Sequence, residues 1–239
     1  GSKVINLRDT QSPTITNNKG ATISGTFNVI VQQSTATEDA TGLTITNHGT
    51  IKAVGSTSER AIYIYQSSGE LAEDATITNS STGNIYNTQN SPTIAIDTSS
   101  TLTNSGTIEN RHSPSSKSIY VVGNNNTVTL KDGGKVIGLI DSDGTGNKLK
   151  IKHGAGQSYY YETEGTFDLE DLDGNVIVEG SAGSVGQGGN EILDEQLGHK
   201  SINLRKSIAK FKRSEQYLNQ DDTWSEIFSS FERRQGKRK

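Results

Sequence analysis

The chain of 239 residues has no cysteine. Disulfides, thiolate metal sites and a cysteine nucleophile are therefore excluded. In a secreted protein this lack would also suit export as an unfolded thread. Methionine is absent too, and Gly1-Ser2 reads as a cloning scar, so the chain is expected to be a piece cut from a longer protein. Only 30% of residues are hydrophobic and 6% aromatic. A compact globule of this length would carry more core-forming residues. No run approaches the roughly 20 apolar residues of a membrane helix.

What is present is regular. Ile, Val and Leu recur at set intervals, which a disordered polar chain does not show. Thr-Ile-Thr-Asn appears at 14–17, 44–47 and 76–79, and Thr-Leu-Thr-Asn at 101–104. A second apolar residue follows each at a short interval: Ile23, Ile51, Ile85 and Ile108, with Val136 after Val128 in the fifth copy. A third alternating run closes each unit: Val29-Ile30-Val31, Ala61–Tyr65, Thr93–Asp97, Ser118–Val122 and Gly138–Asp141. Units begin at 15, 45, 77, 102 and 128.

Three short strands per repeat predict one coil of a right-handed parallel β-helix, hence an all-β fold class. Each strand turns alternate side chains inward. Loops of unequal length leave the coil without disturbing it. Ile15 and Asn17 lie two residues apart, so both face inward, with Asn at the corner. Coils about 4.8 Å apart would stack Asn17, Asn47, Asn79 and Asn104 into a structural amide ladder. Leu130 replaces the Asn in the fifth copy, so the ladder is expected to stop there.

The bulk charge of −4 hides an asymmetry. Residues 1–196 hold 12 Lys and Arg against 22 Asp and Glu, while residues 197–239 hold 11 against 5. No DNA-binding motif or aromatic-interleaved basic patch accompanies the basic end, so nucleic acid is not expected as a partner.

From Gly123 the chain reads GNNNTVTLKDGGKVIGLIDSDGTGNKLKIK. This stretch, about 123–152, resembles the last coils of a bacterial autotransporter passenger, the secreted part of a type V secretion protein. The looser repeat extends back to residue 4. The resemblance implies the following organisation: β-helix coils over 3–152; a C-terminal, autochaperone-like cap over 153–180; a Gly/Ser linker over 181–190; a helical linker over 191–220; and the first strand of the outer-membrane barrel over 221–239. Tyr159, Tyr160, Tyr161 and Phe167 are the large residues expected in the cap. Leu197, Leu204, Phe211 and Leu218 recur every seven residues, with Leu193 and Ile208 on the same side, as in an amphipathic helix. Trp224, Phe228 and Phe231 resemble the barrel's first strand.

By the same resemblance, the chain would lie at the bacterial cell surface, tethered to the outer membrane. Its partners would be its own C-terminal barrel and the barrel-assembly machinery. It would act as a membrane-proximal stalk that supports translocation and folding and a virulence role, without enzymatic activity. Adhesion to a host or cell-surface ligand is expected through Tyr63, Tyr65 and the loops, which are read as exposed. The alternatives are a β-helical polysaccharide-degrading enzyme and a non-autotransporter β-helical adhesin.

No catalytic constellation is legible. His48, His112, His153 and His199 are scattered and read as exposed loop histidines. Asp168–Glu179 and Asp141–Asn147 only partly match calcium loops, and both read as turns. No cofactor and no metal is expected.

Overall fold

The computed structural model describes residues 3–35, 38–55, 59–66, 72–152 and 161–174, together with the backbone of 158–159 and 184–185. Every regular element among the described residues is a β-strand. The chain divides into two compact units, Gly1–Gly189 and Asn190–Lys239. The second unit lies outside the described residues. So do the helix expected over 191–220 and the barrel strand over 221–239, with Leu197, Leu204, Ile208, Phe211, Leu218, Trp224, Phe228 and Phe231.

The first unit is a parallel β-helix. Three sheets of short strands run along the stack. The ladder sheet holds Thr14–Asn17, Thr44–Asn47, Thr76–Asn79, Thr101–Asn104, Thr127–Lys131, Lys148–Lys152 and Asp168–Asp171. The second sheet holds Thr22–Gly25, Thr50–Ala53, Asn84–Asn87, Thr107–Asn110 and Lys135–Ile137. The third holds Ile5–Arg8, Ile30–Gln33, Ile62–Tyr65, Ile94–Ile96, Lys117–Val121, Leu139–Ser142 and Glu162–Gly165. Each strand pairs in parallel with its counterpart in the next coil, because one full turn of chain returns it in the same direction.

Thr-Ile-Thr makes a good strand here. The β-branched residues suit the pleat, and alternation puts Ile inside and Thr outside. In register, Ile15, Ile45, Ile77, Leu102, Val128, Leu149 and Leu169 form one continuous inner row. Ile23, Ile51, Ile85, Ile108 and Val136 form the second. Ile5, Ile30, Ile62, Ile94, Ile119 and Ile140 form the third. The central members of all three rows are wholly buried, whereas Ile5, Ile15, Ile23, Val136 and Leu169, at the row ends, are only partly covered. Each buried Ile contributes on the order of 1.5–3 kcal/mol. A strand of the third sheet, Ile5–Arg8, already precedes the first Thr-Ile-Thr-Asn.

Two features lie outside the three-strand expectation. Ala40–Thr41 and Ala72–Glu73 pair in parallel as a small extra sheet ahead of the ladder sheet. Beyond residue 152, Glu162–Gly165 pairs with Leu139–Ser142, and Asp168–Asp171 pairs with Lys148–Lys152. The span 153–180 therefore contributes strands that continue two of the parallel sheets. Ser158–Tyr159 pairs antiparallel with Ser184–Val185, two residues of the expected linker.

Candidate functional site

The four corner asparagines form a column inside the stack. Asn17 Nδ2 donates to Asn47 Oδ1, Asn47 Nδ2 to Asn79 Oδ1, and Asn79 Nδ2 to Asn104 Oδ1, each across 2.8 Å. The same nitrogens also donate to main-chain carbonyls: Asn17 to Thr50 (3.1 Å), Asn47 to Gly49 (3.1 Å) and Asn79 to Thr107 (3.2 Å). Carbonyl neighbours can only accept, so they fix which end of each amide is nitrogen. The column is thereby polarised along the stack. At its end Asn104 Nδ2 turns to the carbonyl of Lys135 at 3.0 Å, because its register partner is Leu130.

The turn after the corner is tight enough to require glycine. A Cβ at Gly83 would sit 2.1 Å from Asn79 Oδ1 and 2.6 Å from the Asn47 carbonyl oxygen. At Gly106 it would meet the carbonyl oxygens of Ser80 and Gly83 at 2.3 Å. The glycines that follow the second, third and fourth copies, Gly49, Gly83 and Gly106, are thus part of the ladder's geometry, whereas Gly20 after the first has open space around it.

Two further asparagine positions were not singled out from the sequence. Asn87 and Asn110 end successive strands of the second sheet in register. Asn87 Nδ2 donates to the Glu59 and Ser91 carbonyls at 2.7 and 2.9 Å, and Asn110 Nδ2 to those of Ser91 and Lys117 at 2.8 and 3.0 Å. Asn126 and Asn147 occupy the corner before the ladder sheet. Asn126 Oδ1 accepts from the Ser100 amide, and Asn147 Oδ1 from the Asn126 amide, both at 2.8 Å. The first pair carries a visible signal, since Asn-Ile-Tyr-Asn and Thr-Ile-Glu-Asn place Asn two residues after an inward Ile.

The outer face of the third sheet gathers the chemically varied side chains. Val31, Tyr63, Ala95, Tyr120 and Asp141 stand in one row across successive coils. Tyr63 and Tyr65 were expected to be exposed, but both are half-buried. Their rings stack at 4.3 Å with 17° between planes. The Arg60 guanidinium lies 4.2 Å over the Tyr63 ring, and Tyr65 Oη donates to Gln33 Oε1 at 2.8 Å. These contacts cover the rings. Burial also pushes the Tyr65 phenol up from its ordinary pKa.

Two cavities open on this face, one at each end of the strand Ile94–Ile96. The first, of about 530 Å³, is bordered by Tyr63, Tyr65, Asp97, Val122 and Asn124. The Asp97 carboxylate there accepts the main-chain N–H groups of Thr98 and Gln66 at 2.8 and 3.0 Å. The second, of about 320 Å³, is bordered by Arg60, Ser91, Ser115, Ser116, Lys117 and Tyr120. Lys117 pairs with the buried Asp141 carboxylate and lies 4.1 Å over the Tyr120 ring. Tyr120 Oη donates to Asp143 Oδ2. That hydrogen bond, with burial, pushes the Tyr120 phenol up to about 12.

The remaining sequence candidates do not gather into a site. Tyr161 is buried in the core with its hydroxyl unpartnered, and Phe167 packs against the same core. Only the backbone of Tyr159 is described, and Tyr160 lies outside the described residues, as do His153 and His199. His48 was read as an exposed loop residue but is half-buried, because its turn stacks on the next coil: Nδ1 lies 2.9 Å from Ser80 Oγ. Ser80 Oγ donates to the Asn47 carbonyl at 3.0 Å, so its proton is committed to the turn. His112 is exposed. Among the described residues no group of three or more His, Asp or Glu is placed to hold a metal ion. In comparisons with protein-family models, curated proteins and solved structures, nothing matched this chain.

Proposed function

We propose that this chain is the membrane-proximal stalk of an autotransporter passenger, held at the bacterial surface and supporting its own translocation and folding. The observation that carries the reading is the order of pairing. In the described coils, each new strand of the three main sheets is laid on the strand one coil earlier. Such a stack is quasi-one-dimensional, and each coil can form on its neighbour alone. A chain emerging from a pore can therefore fold coil by coil, and each coil buries apolar side chains only after it has crossed. The resemblance of residues 123–152 to terminal passenger coils supports the same reading, as does the absence of cysteine.

The test is surface display. Residues 3–239 are placed between a secretory signal and an autotransporter barrel in a Gram-negative host, with an epitope tag at the N-terminus. The expected result is a tag at the cell surface followed by a protease-resistant core. Removing residues 123–174 should cut surface display at least severalfold. Equal display with and without that segment, or no display of either, would overturn the reading.

A further inference from the structure

We infer that the cavity at the start of the strand Ile94–Ile96 binds an acidic sugar unit of a glycan, with the sugar's carboxylate or sulfate seated against Arg60. The stalk reading does not predict this site.

Arg60 is the first reason. Arg60 borders the cavity, and its guanidinium carbon lies 4.2 Å from the centre of the Tyr63 ring. Among the described residues its buried Nε has no hydrogen-bond acceptor. A buried, unmet donor on a permanently charged group is costly, by more than an ordinary lost hydrogen bond. An anion seated in the cavity that Arg60 borders would offset this uncompensated charge, and a planar carboxylate or a sulfate suits a guanidinium.

The rest of the lining is the second reason. Lys117 adds a second cation; its Asp141 partner engages one side, and an ammonium carries three donors. Ser115 and Ser116 supply hydroxyls, and Tyr120 supplies an aromatic wall. Hydroxyls beside an aromatic face match a sugar, which offers both hydroxyls and a C–H face. The volume of about 320 Å³ lies at the small end of ordinary ligand cavities.

Geometry favours a polymer over a free anion. The cavity with Tyr63, Tyr65 and Asp97 lies at the far end of the same strand. Pro92 and Thr98 border opposite cavities. Six steps of chain, three residues of it strand, separate them, which is at most about 20 Å when fully extended. Geometry also disfavours an extended peptide. Ile94–Ile96 is paired on both sides within its sheet, so no free strand edge is available for β-strand addition. Bulk charge cannot substitute for the site. Residues 1–196 are net acidic, with 12 Lys and Arg against 22 Asp and Glu, and so repel polyanions in general.

The experiment is isothermal titration of the full chain with polygalacturonate oligomers. Neutral dextran oligomers, poly-glutamate and sodium sulfate serve as separate probes. Saturable binding of polygalacturonate, at least tenfold tighter than dextran, poly-glutamate or sulfate, is expected. Arg60→Gln should weaken it at least tenfold, and Tyr120→Ala severalfold. Arg60→Lys, which keeps the charge and loses the fork, should fall between, and it remains the test if Arg60→Gln does not fold. Lys148→Gln removes an equal charge from the exposed end of a ladder-sheet strand and should change nothing. No saturable binding, equal binding of any other probe, or equal effects of Arg60→Gln and Lys148→Gln would each overturn the inference. Because the readout is binding in solution, its failure leaves the export reading untouched.

Discussion

Asn104 and Leu130 are register partners in adjacent coils, and the column of side-chain amides ends at this pair. Above it, each amide nitrogen finds the oxygen of the next coil. Below it, Leu130 joins the apolar core, with Ile151 as its own register partner. The inner corner thus changes from a hydrogen-bonded column to the apolar pair Leu130 and Ile151, ahead of Asp171, within a single step of about 4.8 Å, the spacing of neighbouring strands.

The column makes a direct prediction at its middle. Asn47 accepts from Asn17 and donates to Asn79. Asn47→Leu removes both bonds and strips the ladder donor from Asn79 Oδ1 inside the stack. The bond from Asn47 Nδ2 to the Gly49 carbonyl goes too, and a loss of about 2–4 kcal/mol is expected from three lost bonds and one unmet buried acceptor. Urea denaturation should show a lower midpoint with an unchanged slope. An unchanged midpoint would mean that the column carries no stability.

The glycines sharpen the same geometry. Gly83 is walled by Asn79 Oδ1 and the Asn47 carbonyl, whereas Gly20, with φ of +79°, has nothing within 4 Å of a built Cβ. Gly20→Ala should cost about 1–2 kcal/mol, from backbone conformation alone. Gly83→Ala must displace backbone and should cost about 3 kcal/mol or more. Paired chemical denaturation ranks the two, and the opposite rank would count against the close-packed corner.

The inner rows and the first asparagine corner are readable from residues alone, because the same side chain returns at the same place in every coil. Ile45, Ile77 and their copies need no knowledge of loop lengths to be aligned. The other corners hide their bonding partners for a physical reason, although Asn87 and Asn110 repeat the Ile-x-Asn spacing. Asn87 and Asn110 bond to main-chain carbonyls of residues 59, 91 and 117, and loops of different length bring those groups near. Nothing in the local sequence marks them as acceptors. Strands of two residues, such as Ala40–Thr41, are too short to show alternation. The outer cavities depend on which side chains stand above one another in neighbouring coils. Arg60 and Lys117 border one cavity although 57 positions separate them in the chain. The half-burial of Tyr63 and Tyr65 has the same origin: Arg60 and Gln33 reach them across turns and coils.

Tyr120 gives a pH-dependent signature. Its hydroxyl donates to Asp143, and this bond, more than burial, holds its pKa up at about 12. A tyrosine in the unfolded chain loses its proton near pH 10. The folded state therefore binds the proton more tightly. The contribution to stability is full below about pH 10 and falls away as pH rises through about 12. Phenolate absorbance, taken as the difference between the wild type and Tyr120→Phe, should show Tyr120 titrating near 12. Asp143→Asn should bring that transition toward 10. A transition near 10 in the wild type would refute the bond.

Among the described residues Tyr161 is the largest fully buried side chain, and none of them partners its hydroxyl. Burial, and secondarily the nearby Asp171 carboxylate, push its phenol pKa up, so the group enters the core neutral. The ring and the hydroxyl should then act in opposite directions. Tyr161→Phe removes only an unmet donor and should leave stability unchanged or raise it by up to about 1–2 kcal/mol. Tyr161→Ala opens a cavity where the ring closes the core and should cost about 3–5 kcal/mol. If the span 153–180 templates the coils before it, Tyr161→Ala should also slow refolding from urea. Tyr161→Phe should refold at the wild-type rate. Stopped-flow fluorescence of both variants separates the two roles. A Tyr161→Ala protein that is destabilised but refolds at the wild-type rate would make Tyr161 a core residue without a templating role.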